Sequence, residues 1–176
     1  MPATKTKGKA KGKSQPGVRK FTSAAKRPAP PQRAHWLAPQ MTHITPYLSV
    51  RDGMAALAFY EKAFGFKRRF QMKTTEGRLR HGEMEHGDSV IMIGEPMPQV
   101  GYKAPADIGG SPVALYVYVQ DVDATAEKAK AAGATVVQEP KDQFYGDRTC
   151  ELVDPEGHRW SIATHVKDVK PEELKG

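Results

Sequence analysis

One pattern written twice constrains this chain more than any other feature, because two copies of a supersecondary unit must bury their apolar faces together. Tyr47-Leu48-Ser49-Val50-Arg51-Asp52 returns as Tyr116-Val117-Tyr118-Val119-Gln120-Asp121, with Tyr, Val and Asp coinciding at an offset of 69. Each run leads into a helical stretch closed by glycine, Ala63-Phe64-Gly65 in the first copy and Ala131-Ala132-Gly133 in the second. Each copy then reaches a turn before a final strand. Glu85-His86-Gly87-Asp88 precedes 89–93, Asp154-Pro155-Glu156-Gly157 precedes 158–162, and aligning Gly87 with Gly157 gives an offset of 70. The expectation is a domain over 41–166 made of modules 43–95 and 112–165. A Pro/Gly-rich linker at 96–111 joins them, and a charged C-terminal tail follows at 167–176.

Periodicity assigns the elements. Asp52 can cap a helix whose Ala56, Phe59, Tyr60, Ala63 and Phe64 form one apolar stripe, with Gly65 free to adopt the left-handed conformation that ends it. Val122, Ala126, Ala129 and Ala132 make the second stripe, with Gly133 as terminator. The first strand alternates Ile44, Leu48 and Val50 against Thr45, Tyr47 and Ser49. The later one alternates Leu115, Val117 and Val119 against Ala114, Tyr116 and Tyr118. The aliphatic faces should pack on the helices, leaving the hydroxyl-bearing aromatic faces for a cavity. Each module reads strand, helix, three strands, an α+β fold of two βαβββ units with curved mixed sheets.

Charge separates the body from what precedes it. The net charge is +7, but residues 1–40 hold ten basic residues and no acid, so the remaining 136 carry 17 basic against 20 acidic. That tail has six of the 14 Pro and almost no large apolar side chain, so it is expected to be disordered. Its Lys-rich run at 5–13 is either a polycation for nucleic acid or an anionic membrane surface, or a solvated extension. No apolar run matches a spanning helix or a secretory signal, and a single Cys150 cannot form an intrachain disulfide, so a reducing cytoplasm is expected.

Two such modules, opening with Thr45-Pro46-Tyr47-Leu48-Ser49-Val50 and closing with Asp154-Pro155-Glu156-Gly157-His158-Arg159-Trp160-Ser161-Ile162, resemble the vicinal oxygen chelate (VOC) superfamily of glyoxalase, bleomycin-resistance and dioxygenase proteins. The run 142–148, Phe59-Tyr60 and the closing motif look like its glyoxalase-like branch, some of which loosely carries the label demethylubiquinone methyltransferase-like. The resemblance implies sheets paired into a cup, commonly in a homodimer, with one divalent metal chelating a substrate's vicinal oxygens in the enzymes. It fixes no single reaction, since isomerases, dioxygenases, thiol transferases and non-catalytic drug binders share the fold. The ligand positions it implies fall here on Thr45, Ala114, Ile91 and Ser161, with Met92 replacing Ile91 if the first turn is misaligned by one. None suits a hard or borderline divalent ion, so no cofactor is expected.

A replacement site has few candidates. His81 and Glu83 share a strand face, and the offset of 70 places Glu151 opposite His81 in the second module. Together they could form an unorthodox metal site, a general acid–base pair with Glu83 at least as plausible a base as His81, or simply hydrogen-bonded groups on a wet face. Tyr47, Tyr116 and Tyr118 offer flat apolar area with a polar handle, suited to a small organic ligand. Tyr145 and Arg148 should lie at a rim, where Arg148 binds an anionic group or is held by Asp147. Thr45 and Glu151 complete the candidate binding set. Cys150 reads as a buried small hydrophobe, Trp160 as core, and His158 and His165 as ends of a turn and a strand; His43 is the only nearby substitute for the missing first ligand. The functional expectation is a metal-free small-molecule binder with a Tyr-lined cup, or else a lyase, isomerase or dioxygenase-type enzyme working through His81 and Glu83.

Overall fold

The computed structural model describes residues 36–38 and 40–174 of the 176, so the tail expected at 1–40 lies outside the described residues except for its last few. In the first module, β1 (Tyr47–Ser49) passes through Asp52 into α1 (Gly53–Phe64), followed by β2 (Lys67–Lys73), β3 (Leu79–His86) and β4 (Ser89–Gly94). The second repeats the order with β5 (Ala114–Tyr118), α2 (Val122–Ala131), β6 (Thr135–Asp142), β7 (Asp147–Val153) and β8 (Arg159–His165). The expected α+β architecture of two βαβββ units is what forms.

The helix signals act as local chemistry dictates. Asp52 and Asp121 each accept a backbone N–H three residues on, from Ala55 and Ala124 at 2.9 Å. Gly65, at φ 72°, turns back to donate its N–H to Glu61. Ala56, Phe59, Tyr60, Ala63 and Phe64 are all buried, as are Val122, Ala126 and Ala129 on α2. Ile44 departs from expectation. It is 86% exposed, because the strand begins only after Pro46 and the preceding residues fold into a turn closed by the Thr42 and Thr45 hydroxyls.

The sheets have orders β1-β4-β3-β2 and β5-β8-β7-β6, each with one parallel pair, β1 with β4 and β5 with β8. Their registers correct the alignment made on the turn glycines. Tyr47 pairs with Met92 and Tyr116 with Ser161, so Met92, not Ile91, stands where Ser161 does. Glu83 likewise faces Met92 as Glu151 faces Ser161, so the counterpart of Glu151 is Glu83 rather than His81. The reason is turn length: two residues separate the paired His86 and Ser89, five separate the paired Val153 and Arg159.

Both modules share one core. Leu48, Val50, Met84, Ile91 and Ile93 from the first sheet join Cys150, Leu152, Trp160 and Ile162 from the second around α1 and α2. The Trp160 ring sits 4.8 Å from Phe64 and 5.3 Å from Tyr60 between ring centroids. Because the helix-bearing faces of both sheets meet there, the opposite faces point away from the core and stay open. Carboxylates of the β7–β8 turn tie the modules together. Buried Asp154, in the β7–β8 turn, accepts from the Tyr60 hydroxyl at 2.7 Å, the Trp160 indole at 2.9 Å, and the backbone N–H groups of Glu156 and His158. From the same turn Glu156 accepts the Arg51 backbone N–H, and the His158 Nε2 lies 3.0 Å from the Ser49 carbonyl.

Candidate functional site

The open faces carry the side chains that could do chemistry, and alternation along each strand puts them there. On the first sheet, Tyr47 lies over Gly94, where a Cβ would collide with its hydroxyl. Burial and then the neighbouring Tyr102 raise its phenol. His81 sits beside it, 5.9 Å from the Tyr47 ring and 6.2 Å from Phe70, with its Nε2 3.4 Å from Glu83. Arg69 spans Glu83 at 3.9 Å and Glu85 at 3.5 Å, so Glu83 stands between a histidine and a guanidinium. Phe70 and Met72 are roughly half exposed on this face.

The second sheet builds a denser cluster whose hub is Asp147. Its Oδ2 accepts the Tyr118 hydroxyl at 2.7 Å and the Tyr116 hydroxyl at 3.0 Å, while Oδ1 receives His165 Nδ1 at 2.8 Å. The opposite ring nitrogen of His165 meets Asp168 at 3.0 Å. Burial works to raise the Asp147 carboxyl, but hydrogen bonds from Tyr118, His165 and Tyr116 outweigh it and hold it below the usual aspartate range. Hydrogen bonds to Asp147 and then Asp168 raise His165. Burial, then hydrogen bonds to Tyr145 and Asp147, drive the Tyr116 phenol far up, so it stays protonated. Nearby, Ser161 donates to Glu151 at 2.7 Å and Gln143 to Thr149 at 2.8 Å. A groove of about 530 Å³ reaches Tyr116 and Tyr118 from the side of Ile44, Pro46, His86 and Val90.

Asp147 and His165 are the residues that sequence reasoning missed as site members, although parity offered a signal. Residues 147, 149 and 151 share one face and 161, 163 and 165 its neighbour, whereas Arg148 shares the helix side with Cys150 and Leu152. The pairing of Arg148 with Asp147 considered from the sequence therefore does not form. Arg148 is held by Asp123 of α2 at 2.8 Å and by Asp142 at 2.9 Å. Tyr145 lies in the β6–β7 turn beside Tyr116. Thr45 is engaged with Thr42. Cys150 is fully buried, and burial first, then Glu139, pushes its thiol up to about 11. Glu151 is not brought to His81 and Glu83: among the described residues no hydrogen bond, ion pair or ring contact joins the two open faces, and no group of three or more His, Cys, Asp or Glu could hold a metal ion. The implied ligand positions, now Thr45, Ala114, Met92 and Ser161, offer an engaged hydroxyl, a methyl, a thioether and a hydroxyl given to Glu151. That donor set does not fit a hard or borderline divalent ion.

A tandem βαβββ chain with helices inside and polar, aromatic sheet faces outside defines the class of fold. The sequence profile of the Glyoxalase/Bleomycin resistance protein/Dioxygenase superfamily matches residues 40–162, and the chain belongs to that superfamily. An uncharacterised protein of Mycobacterium bovis is 36% identical over 135 residues, covering 75% of this chain and 89% of its own. Among solved structures, TioX from Micromonospora sp. ML1 aligns with a TM-score of 0.56 at 26% identity, over 73% of this chain and 100% of TioX. TnmS3, an antibiotic binding protein from Streptomyces sp. CB03234, aligns at 0.53 and 20% identity, over 71% of this chain and 97% of TnmS3, a likeness of fold. Among the described residues no helix is long and apolar enough to cross a membrane.

Proposed function

We propose that this protein binds a small organic molecule on the tyrosine face of its second module, without a metal ion. The observation that carries the reading is the Tyr116–Tyr118–Asp147–His165 cluster: two roughly half-exposed phenol rings, oriented by a buried carboxylate, standing where the superfamily's ligand positions hold no metal-binding group. Such oriented rings offer contact area at little ordering cost. Each open face is one wall of a cup, and a second copy of the chain brings the His81–Glu83 wall of one protomer over the tyrosine wall of the other. The chain works in a reducing cytoplasm, where Cys150 stays a thiol. The basic run at 5–13 adds at most an accessory contact with polyanions, steeply salt-dependent and lost on deletion of residues 1–40.

Two measurements test the core of this. Elemental analysis of protein purified without chelators should find far less than one divalent ion per chain, and near one tightly held ion would overturn it. Thermal-shift screening of a diverse aromatic library should find stabilising compounds whose effect falls in Tyr116→Phe and Tyr118→Phe; no stabilising compound would count against binding. Light scattering should give a dimer mass, and a monomer would remove the second wall. A catalytic reading is favoured by one observation, the contact of His81 with Glu83 between the Tyr47 and Phe70 rings. It requires Glu83→Gln and His81→Ala to abolish turnover of an identified substrate.

A further inference from the structure

The direction of the hydrogen bonds on the tyrosine face says what kind of ligand it can take. Tyr116 and Tyr118 each have one proton, and both point inward to Asp147. Tyr145 hydrogen bonds with Tyr116, whose own proton is committed, so Tyr145 is the donor there. Both ring nitrogens of His165 face carboxylates, Asp147 and Asp168, and the Ser161 proton goes to Glu151. The phenol, imidazole and Ser161 donors around Asp147 are thus spent within the cluster, while Lys141 and the Thr149 hydroxyl, which accepts from Gln143, lie farther along the strands. Around the two rings, what remains turned outward is phenol lone pairs, the second oxygen of Glu151 and the faces of aromatic rings, with Tyr116 49% and Tyr118 56% exposed.

The charges run the same way. Asp147, Glu151 and Asp168 stand against His165, and against Lys141, which pairs with Thr149 across β6 and β7. The other wall sets Glu83 and Glu85 against Arg69 and against Lys67, which pairs with Glu85 across β2 and β3. The tyrosine wall alone has one more carboxylate than cation. Electron-rich ring faces attract organic cations, and a surface of acceptors leaves an incoming oxyanion without donors, which is costly once water is excluded.

We propose that the ligand is a planar aromatic molecule bearing amino, ammonium or hydroxyl donors, and that anionic aromatics are rejected. This rests on the binding function proposed above and narrows it to a chemical class. Two tricyclic probes of similar shape separate the alternatives: 9-aminoacridine, a cation at neutral pH, and anthracene-9-carboxylate, an anion. Each is titrated by fluorescence into full-length protein freed of nucleic acid by nuclease and a high-salt wash. The expected result is binding of 9-aminoacridine at least tenfold tighter than of the carboxylate. Tyr118→Phe, which keeps the ring and removes the acceptor, should weaken the cation at least threefold. Asp147→Asn should weaken it tenfold or more and narrow the gap between the probes. Equal or tighter binding of the carboxylate, with sensitivity to Tyr118→Phe, would overturn the selectivity while leaving the binding function intact. Binding of neither probe, together with an empty library screen, would sink both. Cation binding unchanged in Tyr118→Phe and Asp147→Asn would place the probe elsewhere and overturn the inference, and circular dichroism of both variants guards against misfolding.

Discussion

The two modules share a plan and differ in what their turns do. Between β3 and β4 the first closes with two residues, Gly87 and Asp88. Between β7 and β8 the second spends five, and they hold Asp154, Glu156 and His158, which reach α1, the backbone of Arg51 and the Ser49 carbonyl of the first module. The walls differ in the same sense. Tyr118 occupies the place of Ser49, and Ala163 that of Gly94. One tie is matched, since His86 Nε2 beside the first turn lies 3.1 Å from the Tyr118 carbonyl as His158 Nε2 lies 3.0 Å from that of Ser49; the ties through Asp154 and Glu156 belong to the second turn, and there the symmetry legible in β1 and β5 fades.

The strongest way to break this asymmetry is at Asp154. Asp154→Ala strands the buried Tyr60 hydroxyl and Trp160 indole and leaves the backbone N–H groups of Glu156 and His158 without their acceptor. It should cost about 3 kcal/mol or more, read as a fall in the urea midpoint, with both modules unfolding in one transition. A loss below about 1 kcal/mol would show that the modules do not depend on the tie. Gly94→Ala and Ala163→Gly, at equivalent positions, form a paired test. A methyl at Gly94 meets the Tyr47 hydroxyl, so the first change should cost about 1–3 kcal/mol by overpacking. The reverse change opposite Tyr118 should cost only about 1 kcal/mol, the strand penalty of glycine. Equal costs would mean that the walls are more alike than their geometry.

The smallest effect separates the walls by pH. His165 is raised above its ordinary 6.5, so its contribution is complete below pH 6.5 and is lost as pH rises through its folded midpoint. Asp147 is depressed below its ordinary 3.8, so its share is present above pH 3.8 and is lost as pH falls through its folded midpoint. The cluster thus supports the second module most between those two values. NMR titration should place the His165 midpoint above 6.5, and Asp147→Asn should lower it. An unchanged midpoint would remove Asp147 as its partner.

The repeat, both helices, the Asp52 cap with its Gly65 terminator and the core stripes were legible because each rests on local spacing: Asp52 to Ala55, Phe59 to Tyr60 to Phe64. The open faces were legible for the same reason, since Tyr47, Tyr116 and Tyr118 follow strand parity. What escaped depends on register across strands that are distant in the chain. Turn length decides whether Glu83 or His81 answers Glu151, and glycine alignment conceals it. The cluster around Asp147 escaped because Asp147 and His165, 18 residues apart in the chain, meet only when β7 and β8 pair.

The tie through Asp154 also bears on how the chain can be cut and rejoined. Its halves are held by Tyr60, Trp160 and the shared core, while Gly109 and Gly110 lie exposed in the linker between them. A break in the peptide there would leave two fragments still bound by everything that mattered before it, and circular permutants opened at that point would inherit an intact interior. The linker is then the place where the chain can accept an inserted domain, and the five residues around Asp154 are the place where it cannot.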